Sequence, residues 1–269
     1  MPPLNPVNTV SNISDRSQLA EFLGKKPALN AYLLGDLDER YWSRTKWFAV
    51  QHGKQIQEIA LLYSGMNPPI LIAIPNSDPA QLKYLLEEIQ PQLPAQVYAH
   101  LGPDLWSALD RYQLKDQPQP HFVMELTNPS AHQSISITEI IPLQKHDFED
   151  TRQLFDASYP GHWFREEMLG FGPYFGYRDA TGQLLAAGGV HVFSETYQVA
   201  TIGNVVTHPS ARGQGWASKV NACLLADLSE RVETIALNVH AKNSVAIQLY
   251  ENLGFSKLAE YFEMHLIRK

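Results

Sequence analysis

The segment Thr207-His208-Pro209-Ser210-Ala211-Arg212-Gly213-Gln214-Gly215-Trp216-Ala217 constrains this chain more than any other. It leaves an apolar, strand-like run (Tyr197 to Thr207) and enters a helix-like run, about Gly215 to Arg231, in which Ala217, Val220, Leu224 and Leu228 are apolar. Pro209 ends the strand, so the backbone must pass from sheet to helix within a few residues. The start of a helix has N–H groups without intrahelical partners and a partial positive charge, which suits an anion. Glycines keep side chains out of its way, and Arg212 adds a permanent charge on a planar donor fork. No Gly-Lys-Ser/Thr follows, so this is not a nucleoside-triphosphate loop; without a third glycine it is not a dinucleotide fingerprint either. Read alone, the motif is equally a glycine-rich turn before a helix.

Two neighbouring features add weight. Gly203, inside the strand Tyr197 to Thr207, marks either a packing contact or a bulge that frees backbone N–H groups. Further on, Asn243, Ala246 and Tyr250 fall at i, i+3 and i+7, on one face of a helix running from Asn243 to Leu253. Asn243 suits its N-cap and Gly254 its C-terminal stop.

The Arg-x-x-Gly-x-Ala pattern followed by Asn243, Ala246, Tyr250 and Gly254-Phe255 resembles the GNAT superfamily of N-acetyltransferases over residues 135–269. The resemblance implies acetyl-CoA as co-substrate and no metal. It implies that the backbone of Val205, Val206 and Thr207 pairs with pantetheine. Arg212 and the amides of Gly213, Gln214, Gly215, Trp216, Ala217 and Ser218 would hold the pyrophosphate. Asn238, Asn243 and Ala246 would flank the coenzyme arm, and Tyr250 would donate to the departing thiolate. A thiol near pKa 8.5 and a phenol near 10 make full proton transfer uphill by about 2 kcal/mol, so a hydrogen bond from Tyr250 is the expected role. The family often places a glutamate on the central strand as base. None stands between Thr201 and Thr207, which leaves His191, Glu195 and His162 as candidates, His191 first because an imidazole titrates near neutrality. An aromatic-rich segment, Tyr159 to Phe175, is either core or an acceptor pocket; Trp163, Phe164 and Tyr174, with Asn204, are the candidate acceptor contacts.

The N-terminal half repeats the element order. Asp15 is expected to cap a helix through Leu19, Phe22 and Leu23, and a second helix spans about 28–41. Strands follow at 47–51, 56–63 and 69–74, then a helix at 79–89, a strand at 96–100, a short helix at 103–112 and a strand at 121–126. The breaker-rich stretch 128–134 reads as a linker. In the C-terminal half the expected elements are a strand at 135–141, helices at 145–157 and 163–169, and a hairpin of strands 174–178 and 184–193. After the strand 197–207 and the helix 215–231 come a strand at 234–239, the helix 243–253 and a last strand at 257–267. The expected architecture is α/β (α+β): two tandem GNAT-like domains, 1–127 and 135–269, each a mixed, mostly antiparallel sheet flanked by helices. The first copy lacks a glycine pair and an arginine at its expected cradle, Ile72 to Ala80, and has Leu109 where Tyr250 would stand, so it is expected to bind no coenzyme.

A net charge of -7 argues against a broad nucleic-acid surface, and no apolar stretch approaches the length of a membrane helix. The single cysteine, Cys223, excludes an intrachain disulfide and a cysteine-based zinc site. Met1 to Pro6 shows neither a basic region nor an apolar signal core, so a cytoplasmic protein, monomeric or homodimeric, is expected. The expected acceptor is the amine of a small molecule or an amino terminus. Alternatives are amino-acid N-acylation with longer acyl groups, a catalytically silent coenzyme-binding sensor, and peptidyl transfer from aminoacyl-tRNA; the charge disfavours the last.

Overall fold

A computed structural model describes residues 8–269; Met1 to Pro6, read above for targeting signals, lie outside them. The chain divides into two compact units. One takes in residues 8–122 together with 240–242 and 259–269; the other takes in 123–239 and 243–258.

The first unit contains β1 (Asn8–Ile13), α1 (Arg16–Leu23), α2 (Ala31–Gly35), α3 (Glu39–Trp42), β2 (Thr45–His52), β3 (Gln55–Tyr63), β4 (Ile70–Ala73), α4 (Pro79–Ile89), β5 (Gln96–Leu101) and β6 (Tyr112–Leu114). β7 (Gln119–Leu126) leads into the second unit, which contains β8 (Ile141–Pro142), α5 (Phe148–Ser158), β9 (Phe175–Arg178), β10 (Leu184–Ser194), β11 (Val199–Thr207), α6 (Trp216–Ser229), β12 (Thr234–His240) and α7 (Ser244–Asn252). The last strand, β13 (Phe255–Arg268), starts in the second unit, but its stretch from residue 259 belongs to the first.

In the first unit β1 to β4 form an antiparallel series, and α4 crosses over to bring β5 parallel to β4. β13 closes this sheet antiparallel to β5, with Phe262 opposite Leu101 and Glu263 opposite His100. Leu82, Leu85, Leu86 and Ile89 of α4 pack into one core with Val97, Ala99 and Leu101 of β5 and Met264 and Leu266 of β13. Asp15 caps α1 as expected, accepting from the Gln18 amide at 3.1 Å. The helix expected over 28–41 is broken into α2 and α3, because the chain turns at Gly35-Asp36-Leu37-Asp38, where glycine and two aspartates favour turns over helix.

The second unit repeats this plan: β8 to β11 are antiparallel neighbours, and α6 crosses over to bring β12 parallel to β11. The expected strand at 135–141 is reduced to Ile141–Pro142. Residues 135–140 instead form turns, with the Ile135 amide bonded to His132 and the Ile140 amide to Ile137. The expected helix at 163–169 is a short 3-10 turn, Glu166–Gly170. Among the described residues, no helix is long and apolar enough to cross a membrane.

Two irregularities in the β10–β11 ladder shape this unit. Ala187 faces Val206 and Gly189 faces Gly203, so Asn204 and Val205 together oppose the single residue Gly188. This is a bulge on β11, and Asn204 sits in it at φ 53°. One step on, Val190 faces Ile202 and Val192 faces Thr201, which leaves His191 as the extra residue on β10.

Both glycines here lie under rings. A Cβ on Gly189 would meet the Tyr174 ring at 2.2 Å, and one on Gly203 would meet the His191 ring at 2.5 Å. Tyr174 is 2% exposed and cannot move aside, whereas His191 is exposed and can. Gly189→Ala should therefore lower stability by roughly 2–3 kcal/mol and Gly203→Ala by clearly less, measured as urea midpoints; equal losses would contradict this account.

Candidate coenzyme site in the second unit

The bulge on β11 is clamped from one side. Asn204 Nδ2 donates to Tyr174 Oη at 2.8 Å, and Tyr174 Oη donates to the Val190 carbonyl at 3.0 Å. Bulges sharpen strand twist and interrupt pairing. Accordingly, the parallel ladder between β11 and β12 runs only from Val199–Thr234 to Ile202–Leu237. β11 nevertheless continues to Thr207, and β12 runs on through Asn238. From Gly203 onward the edge of β11 that faces β12 has no ladder to β12, and Val205, Val206 and Thr207 line it. Half-buried Asn238 follows the last paired residue on the other strand.

At the end of this edge stands the start of α6. Gly213 and Gly215 hold φ of 75° and 82°, left-handed values that favour glycine, and an added Cβ at either would meet nothing within 4 Å. Their conformation, more than crowding, is what demands glycine. Among the described residues, no backbone N–H from Gly213 to Ser218 donates to another group; the first helical bond is Lys219 to the Gly215 carbonyl at 3.1 Å. The result is a row of unpaired amide donors at the positive end of a helix. Arg212 stands beside them. Among the described residues its guanidinium donates only to carbonyls, Thr207 at 3.3 Å and Ser158 at 3.2 Å, and no carboxylate pairs with it. Trp216 braces the turn by stacking on Tyr177, and Gln214 accepts from its indole at 3.2 Å.

On α7, Asn243 is the N-cap, accepting from the Ala246 amide at 3.1 Å, while its own Nδ2 donates to no described residue. Tyr250 is 8% exposed and lies edge-on to Phe255 at 5.9 Å. Burial pushes its phenol up to about 12.

The remaining candidates divide. His191 is on β10 beside the bulge, its ring over Gly203. Glu195 is in the β10–β11 turn, at the opposite end of β11 from α6, where it accepts from Arg231 at 3.1–3.2 Å; the structure does not bring it to the bulge. His162 is paired with Asp156 at 3.0 Å. Phe164 is buried and stacks on Phe155 at 4.7 Å, and Tyr174 holds the bulge, so both have structural duties. Trp163 is 62% exposed.

The corresponding turn of the first unit, between β4 and α4, is built differently. Glu58, fully buried on β3, lies across it and accepts from the amides of Asn76 at 3.1 Å, Ser77 at 2.6 Å and Asp78 at 2.8 Å, and from the Ser77 hydroxyl at 3.2 Å. Asp78 caps the following amides of Ala80 and Gln81. The donors left open in the second unit are here filled by the protein's own carboxylates. Sequence reading missed Glu58; its signal was an acid inside the apolar run Ile56 to Tyr63. A cavity of about 520 Å³ opens nearby, lined in part by Lys25, Lys26, Lys54 and Ser77, and none of the cradle residues of the second unit borders it. The open amides of α6, and not cavity size, mark the candidate site.

Residues 177–263 match the family model described as FR47-like protein. No protein of curated function matches the sequence. Solved structures are similar in fold. A Drosophila protein is 15% identical, with 96% of this chain and 99% of that one aligned at a TM-score of 0.69. A tandem GNAT protein from the clavulanic acid biosynthesis pathway is 15% identical, with coverage of 96% and 98% and a TM-score of 0.57. A putative GNAT-family acetyltransferase from Novosphingobium aromaticivorans is 22% identical, with coverage of 74% and 84% and a TM-score of 0.56. The chain thus has the mixed α/β fold of GNAT acetyltransferases, in a tandem arrangement.

Replacing Glu58 by Ala should strand buried amides and lower the urea midpoint by the equivalent of roughly 2–4 kcal/mol. Added sulfate should restore more of that loss than it adds to the wild type. A variant as stable as the wild type would show that the carboxylate does not hold this turn.

Proposed function

We propose that this chain is an N-acetyltransferase that moves the acetyl group of acetyl-CoA to the amine of a small molecule or an amino terminus. The observation that carries this reading is the row of unpaired amides from Gly213 to Ser218, continuous with the unpaired edge of β11. The donor set suits the coenzyme: amides and Arg212 for the pyrophosphate, the strand edge of Val205 to Thr207 for the amide-bearing pantetheine arm, and Asn238 and Asn243 Nδ2 flanking it. Each is a neutral or cationic donor, or a strand edge able to pair, and among the described residues no carboxylate accepts from these amides as Glu58 does in the first unit.

In the proposed reaction the acceptor amine, freed of a proton, attacks the thioester carbonyl. A C–N bond forms, the C–S bond breaks, and the thiolate leaves. His191, beside the bulge, is assigned the amine's proton. Tyr250 is assigned the thiolate. With its phenol pushed up to about 12, transfer of its proton to a thiolate of pKa near 8.5 would be uphill by about 5 kcal/mol. It therefore acts as a hydrogen-bond donor, a role that favours the charge developing on sulfur.

Titrating the full chain with acetyl-CoA under native mass spectrometry should show one coenzyme per chain, with Gly215→Glu showing none. Free thiol should then be released in the presence of some members of an amine panel. Two coenzymes bound to the wild type, or undiminished binding by Gly215→Glu, would overturn the assignment of the site.

Tyr250→Phe should leave coenzyme affinity nearly unchanged and lower kcat by something like 10²-fold. The sign of its pKa shift sets a pH expectation. A phenol raised in the folded state stays protonated beyond the unfolded value near 10, so its donor function and its share of stability persist below that pH. Both are lost only as pH rises toward about 12. An alkaline limb near pH 10 that disappears in Tyr250→Phe would contradict the buried-donor role.

A further inference from the structure

A second cluster of chemically active groups, none of them used above, lies within the first unit. Glu263 on β13 is at its centre. Tyr98 donates to Oε2 and Tyr261 donates to Oε1 at 2.8 Å, so both oxygens are held in place. His100 Nε2 and His121 Nε2 stand 3.6 and 3.8 Å from Oε1, too far for hydrogen bonds. The rings around them are close: His121 stacks on Tyr261 at 5.4 Å, and His100 lies edge-on to Tyr98 at 5.4 Å.

The proton positions make this arrangement incomplete. His121 Nδ1 is 3.0 Å from the Gln119 carbonyl, which can only accept. Nδ1 therefore carries the hydrogen, and in the neutral ring Nε2 presents a lone pair toward Glu263 Oε1. Burial pushes the His100 imidazole toward its neutral form. For Glu263, burial works to raise the carboxyl, but His100, His121 and the two phenols outweigh it and hold the group ionised. Among the described residues, no lysine or arginine pairs with Glu263. With the His121 ring neutral, the Glu263 carboxylate and the Nε2 lone pair face one another without a donor between them, against aromatic faces that favour a cation. Glu263, His100 and His121 keep 17%, 15% and 14% of their side-chain surface open to solvent, so the group can be reached.

We propose that Glu263, His121 and His100, walled by Tyr98 and Tyr261, form a binding site for the ammonium group of a small primary amine. Its N–H donors satisfy Glu263 Oε1 and the imidazole nitrogens, and its charge balances the carboxylate. This goes beyond the transferase reading and does not rest on coenzyme binding.

The test uses the full chain without coenzyme, followed by NMR of the histidine ring nitrogens. Titration with n-butylamine should shift the His121 and His100 signals, and butyltrimethylammonium, equally charged but without N–H donors, should not. Glu263→Gln should weaken butylamine binding by about tenfold or more. Equal response to both cations, response to neither, or unchanged affinity in Glu263→Gln would overturn the site. So would a His121 ring already protonated on both nitrogens at neutral pH, because the carboxylate would then hold its own cation. Should Glu263→Gln fail to fold, the two-cation comparison on the wild type decides alone.

Discussion

The hydrogen bond from Asn204 to Tyr174 is the constraint on which the second unit depends. It holds a backbone at positive φ inside a strand, where two residues of β11 oppose one of β10. Because the bulge turns β11 out of register, its ladder to β12 ends at Ile202–Leu237, while both strands continue. An unpaired strand edge is ordinarily a liability, prone to pair with whatever strand it meets. Here it runs directly into the open amides of α6, so one local distortion supplies both halves of an extended donor surface. Gly189, flattened beneath the Tyr174 ring, is part of the same device.

The two units show the same turn in two chemical states. After β11, Gly213 and Gly215 hold the backbone open and Arg212 adds charge; after β4, Glu58 takes the equivalent amides and Asp78 takes the next ones. An internal carboxylate needs no ligand and can be fully buried, since each oxygen is satisfied by donors. The open version leaves its backbone donors without a protein acceptor. In the first unit an internal carboxylate thus occupies the amides that the corresponding turn of the second unit leaves open.

Much of the second unit was legible in the sequence because its signals are local. Glycines at left-handed positions, an Asn cap three residues before Ala246, and apolar spacing along α6 and α7 each reflect chemistry within a turn or two of helix. The misreadings have a common cause. Residues 28–41 and 135–141 show apolar spacing that suits a helix and a strand, but neither spacing reveals whether partners exist to complete it. Phe164 and Tyr174 looked like acceptor contacts for the same reason: aromatic content does not distinguish a ring that lines a site from one that packs against Phe155 or covers Gly189.

By itself the sequence determined the strand-turn-helix at Arg212 to Ala217, the capped helix that ends near Tyr250, and the absence of a glycine cradle in the first half, since all three are written in contiguous residues. Only the tertiary structure decided that β13 from residue 259 completes the sheet of the first unit, that Glu58 reaches the start of α4, and that His100, His121 and Glu263 meet. These contacts join residues far apart in the chain. Side-chain burial and strand order govern them, and neither leaves a periodic trace in the sequence.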